Sequence, residues 1–297
     1  MARPAPAAAR AASIISFLTA HPSRAFTISE LVRHLDMNIA SAHATIAVLT
    51  DCGFLVRDPA HKTYTLGPAL AATGFAAMAQ HPAVAAAIEQ AELLSEELDV
   101  EVGVSAIAGR DVILLARRGP EPLSTAIGYP GDRAPLLAPF GAVFMAWADD
   151  ATVDEWLQRA DADAAARNFY GQALAEIRTR GFGVPLQAIA SPEIEDAMLH
   201  LRDEPTAADA EGRLKKELRA GDEALVLFSE LSPTAAVNFK TVAAPIFDPI
   251  GRVLLSMAIT GPGHSVPLAR VLELGHRLVQ SAAVATRQGQ GRAPDHY

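Results

Sequence analysis

Phe26-Thr27-Ile28-Ser29-Glu30-Leu31-Val32-Arg33-His34-Leu35-Asp36-Met37-Asn38-Ile39-Ala40-Ser41-Ala42-His43-Ala44-Thr45-Ile46-Ala47-Val48-Leu49 holds two short helical patterns separated by a turn. In the first, Ile28, Leu31, Val32 and Leu35 recur at i, i+3, i+4 and i+7, an apolar stripe with Ser29, Glu30 and Arg33 outside it. Thr27 is placed to cap this helix, and Glu30 three residues on completes a capping box. Asp36-Met37-Asn38 breaks the pattern, and Asn38 can cap the next helix. There, Ile39, Ala42, Ile46 and Leu49 form the inward stripe, leaving Ala40, Ser41, His43, Ala44 and Ala47 outward. Outward along the chain, residues 10–19 read as a preceding helix and Gly53 as a helix end. Residues 54–57 and 62–66 read as two strands around the turn Asp58-Pro59-Ala60-His61. Three helices closed by a two-stranded wing make a winged helix-turn-helix, a unit that sets one helix into a DNA major groove. An ordinary αα-hairpin is the plainer reading of the two apolar stripes.

The rest of the chain bounds what can accompany such a unit. A length of 297 residues accommodates two domains with a sizeable core. Half the residues are hydrophobic, yet charges interrupt every apolar run before 18 residues, which predicts no membrane span. Residues 1–9, rich in Ala and Pro and without an apolar h-region, predict a disordered arm on a cytoplasmic protein rather than a signal peptide. Cys52 is the single cysteine, so no intramolecular disulfide is possible, and it is expected to be a small buried residue. The net charge of −9 splits unevenly. Residues 1–75 carry six basic against four acidic side chains, a balance of +2, leaving −11 for the remainder. A slightly basic head on an acidic body suits nucleic-acid binding by the head alone.

Several runs resemble one family. They are Phe26-Thr27-Ile28-Ser29-Glu30-Leu31, Ala40-Ser41-Ala42-His43, Leu49-Thr50-Asp51-Cys52-Gly53-Phe54-Leu55 and Tyr64-Thr65-Leu66-Gly67-Pro68-Ala69-Leu70. Further along come residues 128–136, Ile177-Arg178-Thr179-Arg180-Gly181-Phe182, Ala243-Ala244-Pro245-Ile246-Phe247-Asp248 and Met257-Ala258-Ile259-Thr260-Gly261-Pro262. In order and spread these resemble the IclR (isocitrate-lyase-regulator type) transcription factors. The resemblance implies a two-domain α+β/α/β chain. Its parts are a winged helix-turn-helix over 10–67, a linker helix over 68–82, and a GAF-like effector-binding and oligomerisation domain over 83–288 built on an antiparallel sheet. A tail covers 289–297. It also implies a homodimer or dimer of dimers that binds double-stranded DNA at an inverted repeat. A small organic effector, without cofactor or metal, modulates that binding.

The candidate DNA-contacting residues are Arg24, Thr27, Asn38, Ser41, His43, Thr45, Arg57 and Lys62. Ser41 can bond a phosphate or a base edge and Asn38 can pair with adenine, although Asn38 also suits a helix cap, Thr45 can pack inward and His43 can be a solvated residue. Basic contacts are expected from the flanks, because the lysine and arginine that open and follow this helix in the family are Ile39 and Ala44 here.

In the body, residues 101–108 and 112–116 predict a hairpin around Gly109-Arg110, and 124–129 a third strand. Residues 140–147, 154–160 and 169–180 read as helices, 240–247 and 253–260 as paired strands, and 267–287 as a long terminal helix. By the resemblance, the effector pocket involves Leu136, Phe140, Gly141, Thr241, Ala258 and Thr260. The bulky Phe140, with Ala258 and Ala142, predicts a fairly apolar effector, an aromatic or alicyclic acid held by a few hydroxyls. Arg133 reads as a surface arginine or a carboxylate partner.

Residues 186–236 are longer than the family interval and predict helices at 194–202 and 210–219 and a strand at 224–228. Among enzyme signatures, the nine histidines show no HExxH or other metal-ligand spacing, and there is no G-x-S-x-G elbow or P-loop. The chain is therefore read as a regulator and not an enzyme, with a ligand-binding or protein-interaction adaptor as the alternative.

Overall fold

The computed structural model describes residues 5–120, 128–184, 192–207, 209–220, 227–232 and 234–294. The chain divides into two units, one of residues 1–80 together with 199–212, the other of 81–198 and 213–297.

The first unit, the head, starts with α1 (Pro6–Thr19). It begins four residues before the predicted helix, inside the stretch expected to be a disordered arm, because Pro6 at the helix start needs no amide partner and alanines follow it. Next come β1 (Phe26–Thr27), α2 (Ile28–His34) and α3 (Ile39–Asp51). The wing strands β2 (Leu55–Asp58) and β3 (Thr63–Leu66) follow. The expected capping box closes α2: Thr27 Oγ1 accepts from the Glu30 amide, and Glu30 Oε2 accepts from the Thr27 amide at 2.8 Å. Ile14, Phe17, Leu18, Phe26, Leu31, Leu35, Ile46, Leu49, Leu55 and Tyr64 form the core. Sequence patterning missed β1, which pairs Phe26 with Tyr64 and makes the wing three-stranded. A two-residue strand is too short to show alternation. Helix α4 (Pro68–Gln80), the expected linker helix, groups with the head and buries none of its own residues.

The second unit is built on the five-stranded antiparallel sheet β6-β5-β4-β9-β8. Its elements are α5 (Pro82–Leu98), β4 (Val102–Ala108), β5 (Asp111–Arg118) and β6 (Arg133–Pro135), then α6 (Ala142–Met145), α7 (Asp150–Arg159) and α8 (Ala164–Arg180). After α9 (Pro192–Asp203) and α10 (Ala210–Ala220) come β7 (Ala236–Val237), β8 (Thr241–Phe247), β9 (Val253–Thr260), β10 (Val266–Pro267) and α11 (Leu268–Gln288). Alternation sorts the sheet: Val102, Val104, Val242, Ala244, Ile246, Met257 and Ile259 pack with α5 and α11. Ser105, Leu114, Thr241, Ala243, Ser256 and Ala258 line a cavity beneath α6 and α8.

The strand expected at 124–129 falls mostly outside the described residues; the third described strand of this region is β6, which pairs with β5. The helix expected over 140–147 is a single turn, since Pro139 and Gly141 delay its start. Of the strand expected at 224–228, residues 224–226 lie outside the described residues and Phe228 sits in a 3-10 turn. Both insertion helices form close to their predicted bounds. The expected tail is tied down as far as residue 292, where the Arg292 amide donates to the Asp248 carbonyl.

The domain bounds need one revision. The end of α9 and the loop after it, drawn in sequence inside the body, group with the head. His34, 6% exposed, places Nδ1 2.9 Å from both the Asp203 carbonyl and Glu204 Oε1. His21 Nε2 meets Asp203 Oδ1 at 3.0 Å, and the Thr206 hydroxyl donates to the His34 carbonyl. The Arg33 guanidinium donates to His34 Nε2, so that nitrogen accepts and Nδ1 carries the proton. Burial opposes the charge of Asp203, but hydrogen bonds from His21 and Arg202 outweigh it and keep the carboxyl below its ordinary range. Replacing residues 203–206 by Gly-Ser-Gly-Gly removes the Asp203 and Glu204 carboxylates and the Thr206 hydroxyl that hold the two histidines. Faster amide hydrogen exchange in α1 and α2 of the full chain is the expected result.

Candidate nucleic-acid interface and ligand cavity

Helix α3 lies across the head with Ala42, Ile46 and Leu49 inward. Its first residue does not follow the expected pattern: Ile39, assigned to the buried stripe, is 48% exposed. As the first helical position after the cap, it precedes the turn that packs on the core. Cys52, expected buried, is also exposed, because it sits at the helix end after the last inward residue, Leu49. Asn38 Oδ1 accepts from the Ala40 and Ser41 amides, so this side chain caps the helix. The Thr45 hydroxyl turns back onto the Ser41 carbonyl at 2.9 Å, and the Thr27 hydroxyl is taken by Glu30. Ser41 is half-buried and His43 exposed.

The basic candidates lie outside this helix, before α2 and on the wing. Arg24 pairs with Glu30 at 3.1 Å and lies 4.4 Å over the Phe26 ring. Arg57 and Lys62 are exposed on the wing. Between them, His61 Nδ1 and Asp58 Oδ2 are 2.7 Å apart. The hydrogen bond to Asp58, then its charge, raises the His61 pKa above the ordinary histidine value, and the same bond lowers that of Asp58.

In the second unit a cavity of about 260 Å3 lies between the sheet and α8. Phe140, Gly141, Thr241 and Ala258, all expected in the pocket, line it. Leu136 does not line it and packs with the α6–α8 cluster instead. Thr260 is also outside it, its hydroxyl donating to Glu101 Oε1 at 3.0 Å. Gly141 has a φ of +80°, and a Cβ there would come within 2.4 Å of Leu136 Cδ1, so this turn requires glycine. Trp156 fixes the same turn by donating from Nε1 to the Phe140 carbonyl. Arg133 is committed elsewhere, pairing with Asp111 at 3.2 Å.

Four polar lining residues escaped the sequence reading: Ser105, Ser256, Glu176 and Arg180. The serines were legible as polar exceptions on an otherwise apolar strand face, and Glu176 and Arg180 as an i, i+4 pair. That pair closes at 2.8 Å, and the guanidinium lies 4.3 Å over Phe228. Burial opposes the Glu176 charge, but hydrogen bonds from Ser229 and Arg180 prevail and lower its pKa.

Residues 7–59 match the IclR helix-turn-helix domain. The head is an IclR helix-turn-helix domain. The whole chain is similar in fold to an IclR transcriptional regulator from Alicyclobacillus acidocaldarius, at 20% identity over 97% of this chain and 100% of that one, with a TM-score of 0.67. Pseudomonas aeruginosa HmgR aligns at 20% identity over 94% of this chain and 97% of its own, with a TM-score of 0.58. Thermotoga maritima IclR aligns at 16% identity over the same shares, with a TM-score of 0.55. No curated protein sequence matches the chain. At these identities the structural likeness is one of fold alone.

The IclR head thus carries exposed basic groups before and in α2 and on the wing, and none within α3. In an imidazole NMR titration, His61 is expected to titrate above 6.5. Asp58→Asn should return it towards the ordinary value, since the raising contact is lost.

Proposed function

We propose that this chain is a ligand-responsive transcriptional regulator whose IclR head binds duplex DNA at an inverted repeat and whose cavity takes a small, largely apolar organic acid. The match of residues 7–59 carries the DNA-binding part of this reading, and the exposure of the outward face of α3 agrees with it. The cavity supports the effector part: its walls are Val112, Leu114, Phe140, Phe169, Tyr170 and their apolar neighbours, with the Ser105, Thr241 and Ser256 residues on the sheet side. Such a lining suits a ligand with one polar end and an apolar body.

The homodimeric form rests on α4. Its sequence Pro-Ala-Leu-Ala-Ala-Thr-Gly-Phe-Ala-Ala-Met-Ala-Gln contains no charge, none of it is buried, and Phe75 is 74% exposed. An apolar helix of 13 residues needs packing to be stable in water, and a second copy supplies an equivalent face. No helix among the described residues is long and apolar enough to cross a membrane. The effector acts only through its different affinity for DNA-competent and incompetent arrangements.

The test is selection from a randomised duplex pool by the full-length protein, followed by fluorescence anisotropy on the enriched site and on scrambled DNA. A gap of about a thousandfold is expected for a specific regulator; equal affinities would overturn the reading. With an effector found by screening in the same assay, Ala258→Phe should fill the cavity and abolish the response. DNA affinity without effector should stay within about twofold, as for a substitution outside the binding surface.

A further inference from the structure

The exposed surface of α3 has an unusual chemistry for a helix that enters a groove. Facing outward together are Ala40, His43, Ala44 and Ala47, with Ile39 and Val48 exposed at opposite edges of this face. Residues 38–52 contain no lysine or arginine. The bidentate contact of a guanidinium with guanine is therefore unavailable from this helix. The remaining hydrogen-bonding side chains are mostly occupied: Asn38 caps the helix and the Thr45 hydroxyl is held by the Ser41 carbonyl. His43 is exposed and Ser41 half-buried among the remaining polar side chains of this face. What α3 offers is methyl groups on small side chains, which let a helix approach base edges closely.

The apolar feature displayed by base pairs in a major groove is the thymine C5-methyl. Phosphate neutralisation falls to Arg57 and Lys62 on the wing, exposed on either side of its turn. Placing Ala40, Ala44 and Ala47 against thymine methyls removes apolar surface from water on both partners, whereas a G·C pair offers no methyl to bury there.

We infer that α3 reads its site through thymine C5-methyl groups contacted by Ala40, Ala44 and Ala47, with His43 as its hydrogen-bonding reader, so that the half-sites are rich in A·T pairs. This rests on the reading of the head as a DNA-binding domain. The test uses full-length protein and the duplex enriched by selection, compared with the same duplex in which deoxyuridine replaces thymidine within each half-site. Uracil keeps the pairing and every groove donor and acceptor, and removes only the methyl. Affinity is expected to fall about fourfold for each contacted methyl, the value of burying one such group. Ala44→Ser should weaken binding to the thymidine duplex more than to the deoxyuridine duplex.

Equal affinity of the wild type for both duplexes, or equal losses for Ala44→Ser on both, would overturn methyl readout while leaving specific DNA binding in place. Enrichment of no sequence at all would instead remove the DNA-binding reading on which it stands.

Discussion

The antiparallel pairing of β4 with β9 is the constraint on which the second unit depends. It joins Val102 to Ile259, Val104 to Met257 and Ala106 to Leu255, bringing together strands from distant parts of the chain. With β5 fixed by its hairpin to β4, and β8 by its connection to β9, the central order of the sheet follows. After the edge strand β6, the chain must leave the sheet and return to it at β8. That long excursion supplies the helices α6 to α8 that cover one face, and α9 and α10. The entropy of closing so long a loop grows only slowly with its length, so a larger excursion costs little stability once the pairing exists. This is how the chain accommodates an insertion without disturbing its register.

The elements read correctly from sequence share a physical property: one environment on each side. α2 is legible because its capping box and its apolar stripe are both local, and β9 because it is bounded by Gly251 and Gly261. Ile39 was misplaced because periodicity identifies a helical face without saying where along it the core ends. β1 was missed because pairing with Tyr64 is a tertiary event with no local signature. In the cavity, Phe140, Gly141, Thr241 and Ala258 were legible through the resemblance, whereas Glu176 and Arg180 lie on a helix whose orientation only packing decides. Thr260 fails as a lining residue for a similar reason, as Glu101 captures its hydroxyl.

The head shows how electrostatics and shape divide their tasks. Arg24 is restrained by Glu30 and by the Phe26 ring, and Arg33 by His34, so these cations also serve the local structure. Arg57 and Lys62 extend from the wing, where neighbouring acidic charge comes from Asp58, itself paired with His61. Affinity built on so few cations has a shallow dependence on salt for each head. Discrimination between sequences must then come from surface complementarity, for which the short side chains of α3 are suited.

Residues 199–212 make the head a discontinuous object, completed by a stretch of chain that follows most of the body in sequence. Its contacts reach the second ring nitrogen of each imidazole, His21 Nε2 and His34 Nδ1, whose first nitrogens are bonded within the first 80 residues by the Phe17 carbonyl and Arg33. The head is therefore not a transplantable cassette in the way that a winged helix read from residues 10–67 suggests. A chimera made by exchanging N-terminal segments at the linker would carry the helices and the wing but inherit another protein's loop, or none, at the two histidines. Compatibility between grafted halves would then turn on residues 199–212, far from the splice point.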